Sequence, residues 1–207
     1  MGQKTHPKGY RLAVTKDWRS VWYADGDYKD LLEADEKIRK YLRDNVGSAG
    51  IDAIKISRSI NDVEIDLRVA RPGLVIGRGG STIEAVKKDL DKLIGGKVRL
   101  NVQEVSHPDL SAELLAESIS GAITRRYPYK RAVRSALKRA MDAGAEGIKI
   151  FISGRLGGHT IARREKYIEG SVPTSTLSKN VKFASQKAVT KYGTLGVKVW
   201  VTVPDEE

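Results

Sequence analysis

The chain has 207 residues, with 37 Lys and Arg against 26 Asp and Glu, a formal net charge of +11, and no cysteine. Two small domains, each able to bury a core, suit that length; the cysteine count excludes disulfides and thiolate metal centres and fits the cytosol, and the excess of cations favours a polyanionic partner. No apolar run approaches the ~18 residues of a membrane span, and "MGQKTHPKGYRL" has no apolar signal segment, so a soluble, untargeted chain with no membrane role is expected.

Residues 1–27 are basic and aromatic, with Trp18, Trp22 and Tyr23 close together. Their weak periodicity predicts an extension that packs on a neighbour. From Tyr28 to Val46, Leu31, Ile38, Tyr41, Leu42 and Val46 fall on one helical stripe, and Gly47 and Gly50 end it. "IDAIKIS" and "VEIDLRVA" alternate as strands do, with Asn61-Asp62 between them as turn chemistry, which predicts a hairpin. Ile83, Val86, Leu90, Leu93 and Ile94 then define an amphipathic helix from Ser81, Gly95-Gly96 closes it, and "KVRLNVQEV" gives a third strand.

Between the second strand and that helix stands "RPGLVIGRGGS". A glycine turn feeding a helix N-terminus is a general device for holding phosphate. The P-loop version is excluded, because only three residues separate Gly73 from Gly77 and Arg78 follows instead of lysine; the dinucleotide version fails because Thr82 stands where its third glycine belongs. What remains is Gly77-Arg78-Gly79-Gly80 after the apolar Ile76, the form of a KH loop, which clamps single-stranded backbone. Glycine clusters are also ordinary turn punctuation. The order helix, strand, strand, glycine loop, helix, strand is that of a type II KH domain, and this context favours the KH reading over residues 28–107.

Pro108 marks the boundary to a second domain, 108–207. Two helices, one with its face at Leu110, Leu114, Leu115, Ser118, Ala122 and Ile123 and one from about Tyr129 to Ala143, precede four candidate strands in "GIKIFISG", "IARREKYIEG", "TLSKNVKFASQKAV" and "GVKVWVTV". The fold class expected for the whole chain is α+β, the second domain being two helices on a four-stranded, mainly antiparallel sheet. "NVKFASQKAVTKYG" is ambiguous by period and could form a helix. "TRRYPYKRAVRSALKR" carries Arg125, Arg126, Lys130, Arg131, Arg134, Lys138 and Arg139 with no acid. At about 100° per residue, with Lys130 at zero, Arg131, Arg134 and Lys138 fall near 100°, 40° and 80°, opposite Val133, Ala136, Leu137 and Ala140. A solvated face of ion pairs is the alternative, but the i,i+4 glutamates such faces carry are missing, which favours a nucleic-acid-facing edge.

"MGQKTHP", "ARPGLVIGRGG", "AGAEGIKIFISGRLGG", "IAR" at Ile161 to Arg163 and "YGTLGVKVWV" together resemble the S-three family of bacterial small-subunit ribosomal proteins, nearly end to end. The resemblance implies a cytoplasmic, ribosome-bound structural protein of the small-subunit head that binds ribosomal RNA, neighbours the proteins S-ten and S-fourteen, and faces mRNA where it enters the subunit. On that resemblance the mRNA-facing residues are Lys130, Arg131 and Arg134, acting passively in unwinding. RNA contact by the KH loop is expected at Ile76, Gly77, Arg78, Gly79 and Gly80, and rRNA contact at Lys4, Arg11, Arg125, Arg126, Lys138, Arg155, Arg163 and Arg164. The family loop commonly holds two basic residues; Gly79 takes the place of the second here. Lys166, Ser175, Ser178 and Asn180 also depart from the family pattern, and the chain ends in acidic "PDEE".

A free regulatory KH protein binding single-stranded RNA would explain the loop but leaves "SGRLGG" and "GVKVWV" without a role. An enzyme is disfavoured: His6, His107 and His159 are dispersed, and no H-E-x-x-H pair, G-x-S-x-G elbow or Walker lysine is present. No cofactor, metal or small-molecule substrate is expected.

Overall fold

The computed structural model describes residues 4–59, 62–94 and 96–204. Asn61 of the expected turn, Gly95 of the expected helix stop, the N-terminal Met1, Gly2 and Gln3, and the acidic Asp205, Glu206 and Glu207 lie outside the described residues. The chain folds into two compact units, Trp18 to Ser106 in one, and residues up to Asp17 joined by those from His107 onward in the other. The basic, aromatic N-terminal segment is therefore divided after Asp17.

In the first unit, β1 (Ser20–Val21) is followed by α2 (Tyr28–Val46), β2 (Ile51–Arg58), β3 (Asp62–Val69), α3 (Pro72–Ile76), α4 (Ser81–Ile94) and β4 (Lys97–Glu104); the short α1 (Pro7–Tyr10) belongs to the other unit. The sheet order is β1-β2-β3-β4, with β2 and β3 antiparallel and β3 and β4 parallel. A parallel pair needs a crossover, and α3 and α4 supply it. This is the type II KH topology. Alternation along β3 buries Val63, Ile65, Leu67 and Val69, which close on Ile38, Leu42 and Val46 of α2 and on Val86 and Leu90 of α4. Each such side chain fully withdrawn from water contributes about 1.5–3 kcal/mol.

β1 was not legible in the sequence, because two residues have no period. It pairs parallel to Ile56–Ser57 and is fastened by a carboxylate: Asp35 on α2 accepts from Ser20 Oγ at 2.7 Å, Trp22 Nε1 at 2.9 Å and Arg58 Nη2 at 2.6 Å. The neighbour on which Trp22 packs is thus its own unit.

In the second unit α5 (Ala112–Thr124) and α6 (Tyr129–Asp142) lie on one face of a wholly antiparallel sheet in the order β6-β5-β8-β7, with β5 Gly147–Gly154, β6 Arg163–Gly170, β7 Val181–Thr190 and β8 Gly193–Thr202. The period-ambiguous segment is the strand β7. Its Ala184 and Ala188 face the helices, and ten registered pairs with β8 settle what local periodicity could not. The core joins Leu115, Ile119 and Ile123 of α5 and Val133, Ala136 and Ala140 of α6 to Ile148, Ile150 and Ile152 of β5 and Val197, Val199 and Val201 of β8.

Both helices end in the same six-residue wrap. After α6, Gly144 (φ 89°) donates to Met141 O and Ala145 to Ala140 O; after α5, Arg126 (φ 64°) donates to Ile123 O and Tyr127 to Ala122 O. This Schellman pairing requires a left-handed residue, usually glycine. Arginine fills it at 126.

Candidate nucleic-acid interface

Burial of Ala132, Val133, Ala136, Leu137 and Ala140 sets the rotation of α6 and leaves Lys130, Arg131, Arg134 and Lys138 exposed along its outer edge. Small alanines on the inner face let the helix approach the core closely, so the long cationic side chains project into solvent. Pro128 occupies the N-cap, and the turn before it carries the exposed Arg125 and Arg126. Arg131 lies with its guanidinium 5.6 Å from the centre of the Tyr127 ring, a stacking that restricts it without neutralising it. Arg139, at the far end, is engaged by Asp109 at 3.6 Å and Ser118 Oγ at 3.2 Å.

The cationic edge is not free of acid, as the local sequence suggested. Glu165 of β6 reaches it: Tyr129 donates to Oε1 at 3.1 Å and Tyr167 to Oε2 at 2.7 Å. The Tyr167 bond holds the Glu165 carboxyl below its ordinary pKa, against the opposing effect of burial, and Tyr129, Lys130 and Arg163 add to the lowering. The Tyr167 hydroxyl is pushed up to about 12, first by burial and then by Glu165. Lys130 and Arg163 therefore act on a fixed anion, and the hydrogen bond it accepts from Tyr129 ties α6 to β6. The signal was present in "RREKYIE", where Glu165 and Tyr167 share a strand face, but their proximity to α6 is tertiary.

The remaining expected cations separate. Arg163 and Arg164 point to opposite faces of β6, consistent with period two. Arg155 is exposed yet employed, donating to His159 O at 2.9 Å and Tyr192 O at 3.1 Å. Lys4 stands over the Phe151 ring at 5.7 Å. Arg11, expected among the rRNA contacts, is 0% exposed and donates to the carbonyls of Lys179, Pro173, Thr174 and Thr176 at 2.7–3.3 Å. Its work is structural: a guanidinium consumed by these carbonyls and that of Pro7 fixes the 173–179 loop and has no face left for phosphate.

In the first unit the glycine loop joins α3 to α4. Gly77 (φ 72°), Gly79 (φ 61°) and Gly80 (φ 82°) all occupy left-handed backbone, with Arg78 between them. A Cβ on Gly77 would stand 2.1 Å from Thr82 Oγ1, whereas one on Gly79 would meet nothing within 4 Å. Arg78 is exposed, and beside the loop α3 leaves Leu74 52% and Ile76 42% exposed while Val75 is buried. The loop thus combines a cation, a bared backbone and adjacent apolar surface, the three elements a KH groove uses.

No cluster of three or more His, Asp or Glu suited to a metal occurs among the described residues.

Fold and loop together define the class: an α+β protein in which a type II KH domain precedes a second, basic α+β domain. Family models agree with that division. One described as "KH domain" matches residues 37–110, and one described as "Ribosomal protein S3, C-terminal domain" matches residues 119–201. Proteins called small ribosomal subunit protein uS3 are similar along almost the whole chain. That of Dictyoglomus turgidum is 50% identical over 203 residues, covering 97% of this chain and 83% of its own. Those of Halalkalibacterium halodurans and Carboxydothermus hydrogenoformans are 47% and 46% identical, each over 97% of this chain and 92% and 91% of their own. The chain belongs to the uS3 family of small-subunit ribosomal proteins.

Proposed function

We propose that this protein is an RNA-binding structural constituent of the small ribosomal subunit in the cytoplasm, and that the outer edge of α6 contacts mRNA where it enters the subunit. The observation that supports this most directly is the exposure of Lys130, Arg131 and Arg134 on one helical edge held rigid by a buried alanine-rich face. Cations so placed bind phosphate strongly and without sequence preference, as a surface along which every message must pass requires. Their part in separating mRNA duplexes is passive, holding backbone while the ribosome supplies the force. Arg125, Arg126, Lys138, Arg163 and Arg164 extend the basic surface to ribosomal RNA, Arg78 and its glycines offer a second single-strand contact, and S-ten and S-fourteen are the expected protein neighbours.

Sedimentation of the native protein through a density gradient tests the assignment. Migration with small subunits at both low and high salt is expected; migration as a free species would indicate a regulatory KH protein instead. For the α6 edge, replacement of Lys130, Arg131 and Arg134 by alanine is expected to leave folding intact and slow translation through stable mRNA hairpins. Unchanged hairpin passage would refute the mRNA contact.

A further inference from the structure

On the outer face of the C-terminal sheet, Arg164 alone belongs to the basic surface proposed above. Because Ile148, Ile150 and Ile152 point at the helices, Lys149, Phe151 and Ser153 point the other way. Register places Trp200 beside Lys149, Lys198 and Lys166 on either side of Phe151, and Arg164 beside Ser153. Lysines and arginine thus alternate with aromatic rings across the strands. The rings are continuous: Phe151 and Trp200 meet edge to face at 5.2 Å, and Trp200 and Phe183 at 4.9 Å. Trp200 and Phe183 are each 8% exposed, so the accessible ring is the half-buried Phe151.

The N-terminal segment of the same unit forms the other wall. His6 packs edge-on to Phe183 at 5.2 Å, Tyr10 donates to Ser175 O at 3.1 Å, and the Lys4 ammonium lies 5.7 Å from the Phe151 ring centre. Between this segment and the sheet lies a cleft of about 750 Å³, ample for a nucleotide. Its cations are Lys4, Lys149, Arg164 and Lys198, and among the described residues that line it none is Asp or Glu. Lys149 stands over both the Phe151 and Trp200 rings, at 5.2 and 5.4 Å. Burial lowers its pKa and the like charges of Lys4 and Lys166 lower it further, a tension that an incoming anion would relieve.

We propose that this cleft receives an unpaired nucleotide of single-stranded RNA, its base against Phe151 and its phosphate among Lys4, Lys149 and Lys198. An acidic peptide would satisfy the cations but offers no flat face for the ring. A duplex offers phosphates, but its bases are already stacked and cannot enter a recess. A free base beside a phosphate matches both halves, as on other aromatic, cationic single-strand platforms. The assignment rests on the RNA-binding role proposed for this protein, but at a surface separate from the α6 edge.

The test uses the full-length chain and an unstructured ten-nucleotide RNA carrying one 4-thiouridine. Photocross-links are expected on the peptides bearing Phe151 and Trp200. Phe151→Leu, which removes the ring and keeps the charge, is expected to weaken binding between about fivefold and a hundredfold with an unchanged salt slope. Lys149→Gln is expected to lower that slope by about 0.7. Cross-links confined to α6 or to the glycine loop, with affinity indifferent to Phe151→Leu, would overturn the cleft and leave the RNA-binding role standing. Failure of the wild-type chain to bind the RNA at all would sink that wider role together with the cleft. Binding of uridine monophosphate as tightly as the ten-mer would make the cleft a free-nucleotide site, and displacement of the RNA by a deca-glutamate peptide of higher affinity would make it a protein seat; either overturns the proposal. Should Phe151→Leu fail to fold, the cross-link positions on the wild-type chain decide alone.

Discussion

Tyr129 opens α6 and donates to Glu165 of β6 across 3.1 Å, so a carboxylate whose charge is felt beside Lys130 and Arg163 also ties the helix of Lys130 to the sheet. Glu165 therefore sets the position of the cationic edge while reducing its field. Glu165→Gln keeps an oxygen that can accept from a tyrosine and removes the charge. The expected outcome is retained folding and RNA affinity raised a few-fold at low salt, the gain fading as ionic strength screens it. Titrations at two salt concentrations check this, and equal affinities for the two proteins at low salt would show that the edge does not carry the RNA contact.

The two Schellman turns of the C-terminal unit invite a second comparison. Gly144 takes its left-handed conformation freely, whereas Arg126, at φ 64°, carries a Cβ there, a strain on the order of 1 kcal/mol. Arg126→Gly is expected to stabilise the protein by up to about 1 kcal/mol, visible as a higher Tm, while weakening RNA binding. If stability rises and RNA binding is unchanged, the arginine is retained at 126 for some reason other than RNA.

Periodic and punctuated features were legible before the fold was known. The alternation of Val63, Ile65, Leu67 and Val69, the glycine loop within its helix-strand context, and the outward rotation of Lys130, Arg131 and Arg134 all follow from spacing alone, since each is fixed by local geometry. What spacing could not show depends on distant partners. Arg11 resembles any surface cation until residues 173–179 fold over it, and Glu165 looks unrelated to α6 until the sheet places it there. β1 exists because Asp35 and Ile56 hold it, not because Ser20 and Val21 prefer a strand. β7 is a strand because β8 pairs with it along its length.

The glycine loop separates two kinds of glycine. Gly77 has left-handed backbone and no room, since a Cβ would collide with Thr82, while Gly79 has left-handed backbone in open space. Gly77→Ala is expected to displace the loop and the start of α4, costing several-fold in single-strand RNA affinity and about 2 kcal/mol or more of stability. Gly79→Lys is expected to cost only about 1 kcal/mol for the backbone and to strengthen RNA binding through the added charge. Paired binding and denaturation curves would reveal the ordering; equal damage from both would show that the contact with Thr82 is not what restricts position 77.

Asp35 and Arg58 form an ion pair whose side chains are 3% and 9% exposed, with Ser20 and Trp22 completing the carboxylate's bonds. Deleting one partner strands the other charge in a low-dielectric setting. Asp35→Ala is expected to cost about 3–5 kcal/mol and to release β1 from the sheet, followed in urea by the fluorescence of Trp22. The double replacement Asp35→Leu with Arg58→Met should recover much of that loss, because neither member of the pair is left charged without the other. A double variant as unstable as the single one would show that the attachment of β1, and not the stranded arginine, dominates.

Two phenols contribute to stability at alkaline pH. Tyr167 donates to Glu165 and Tyr41 to Asp89, and burial together with these carboxylates pushes both hydroxyls up to about 12. In the unfolded chain a phenol ionises near 10, so between about pH 10 and 12 the folded state holds protons that the unfolded state has lost. The stability these groups contribute is therefore complete below pH 10 and drains away as pH rises towards 12. Tyr41→Phe and Tyr167→Phe should each be less stable than the wild type at neutral pH, through the lost hydrogen bond, and should lose less stability over that alkaline interval. Urea midpoints at pH 8, 10 and 11 measure the difference directly, and a gap between wild type and variant that stays constant with pH would mean that the phenols titrate alike in both states.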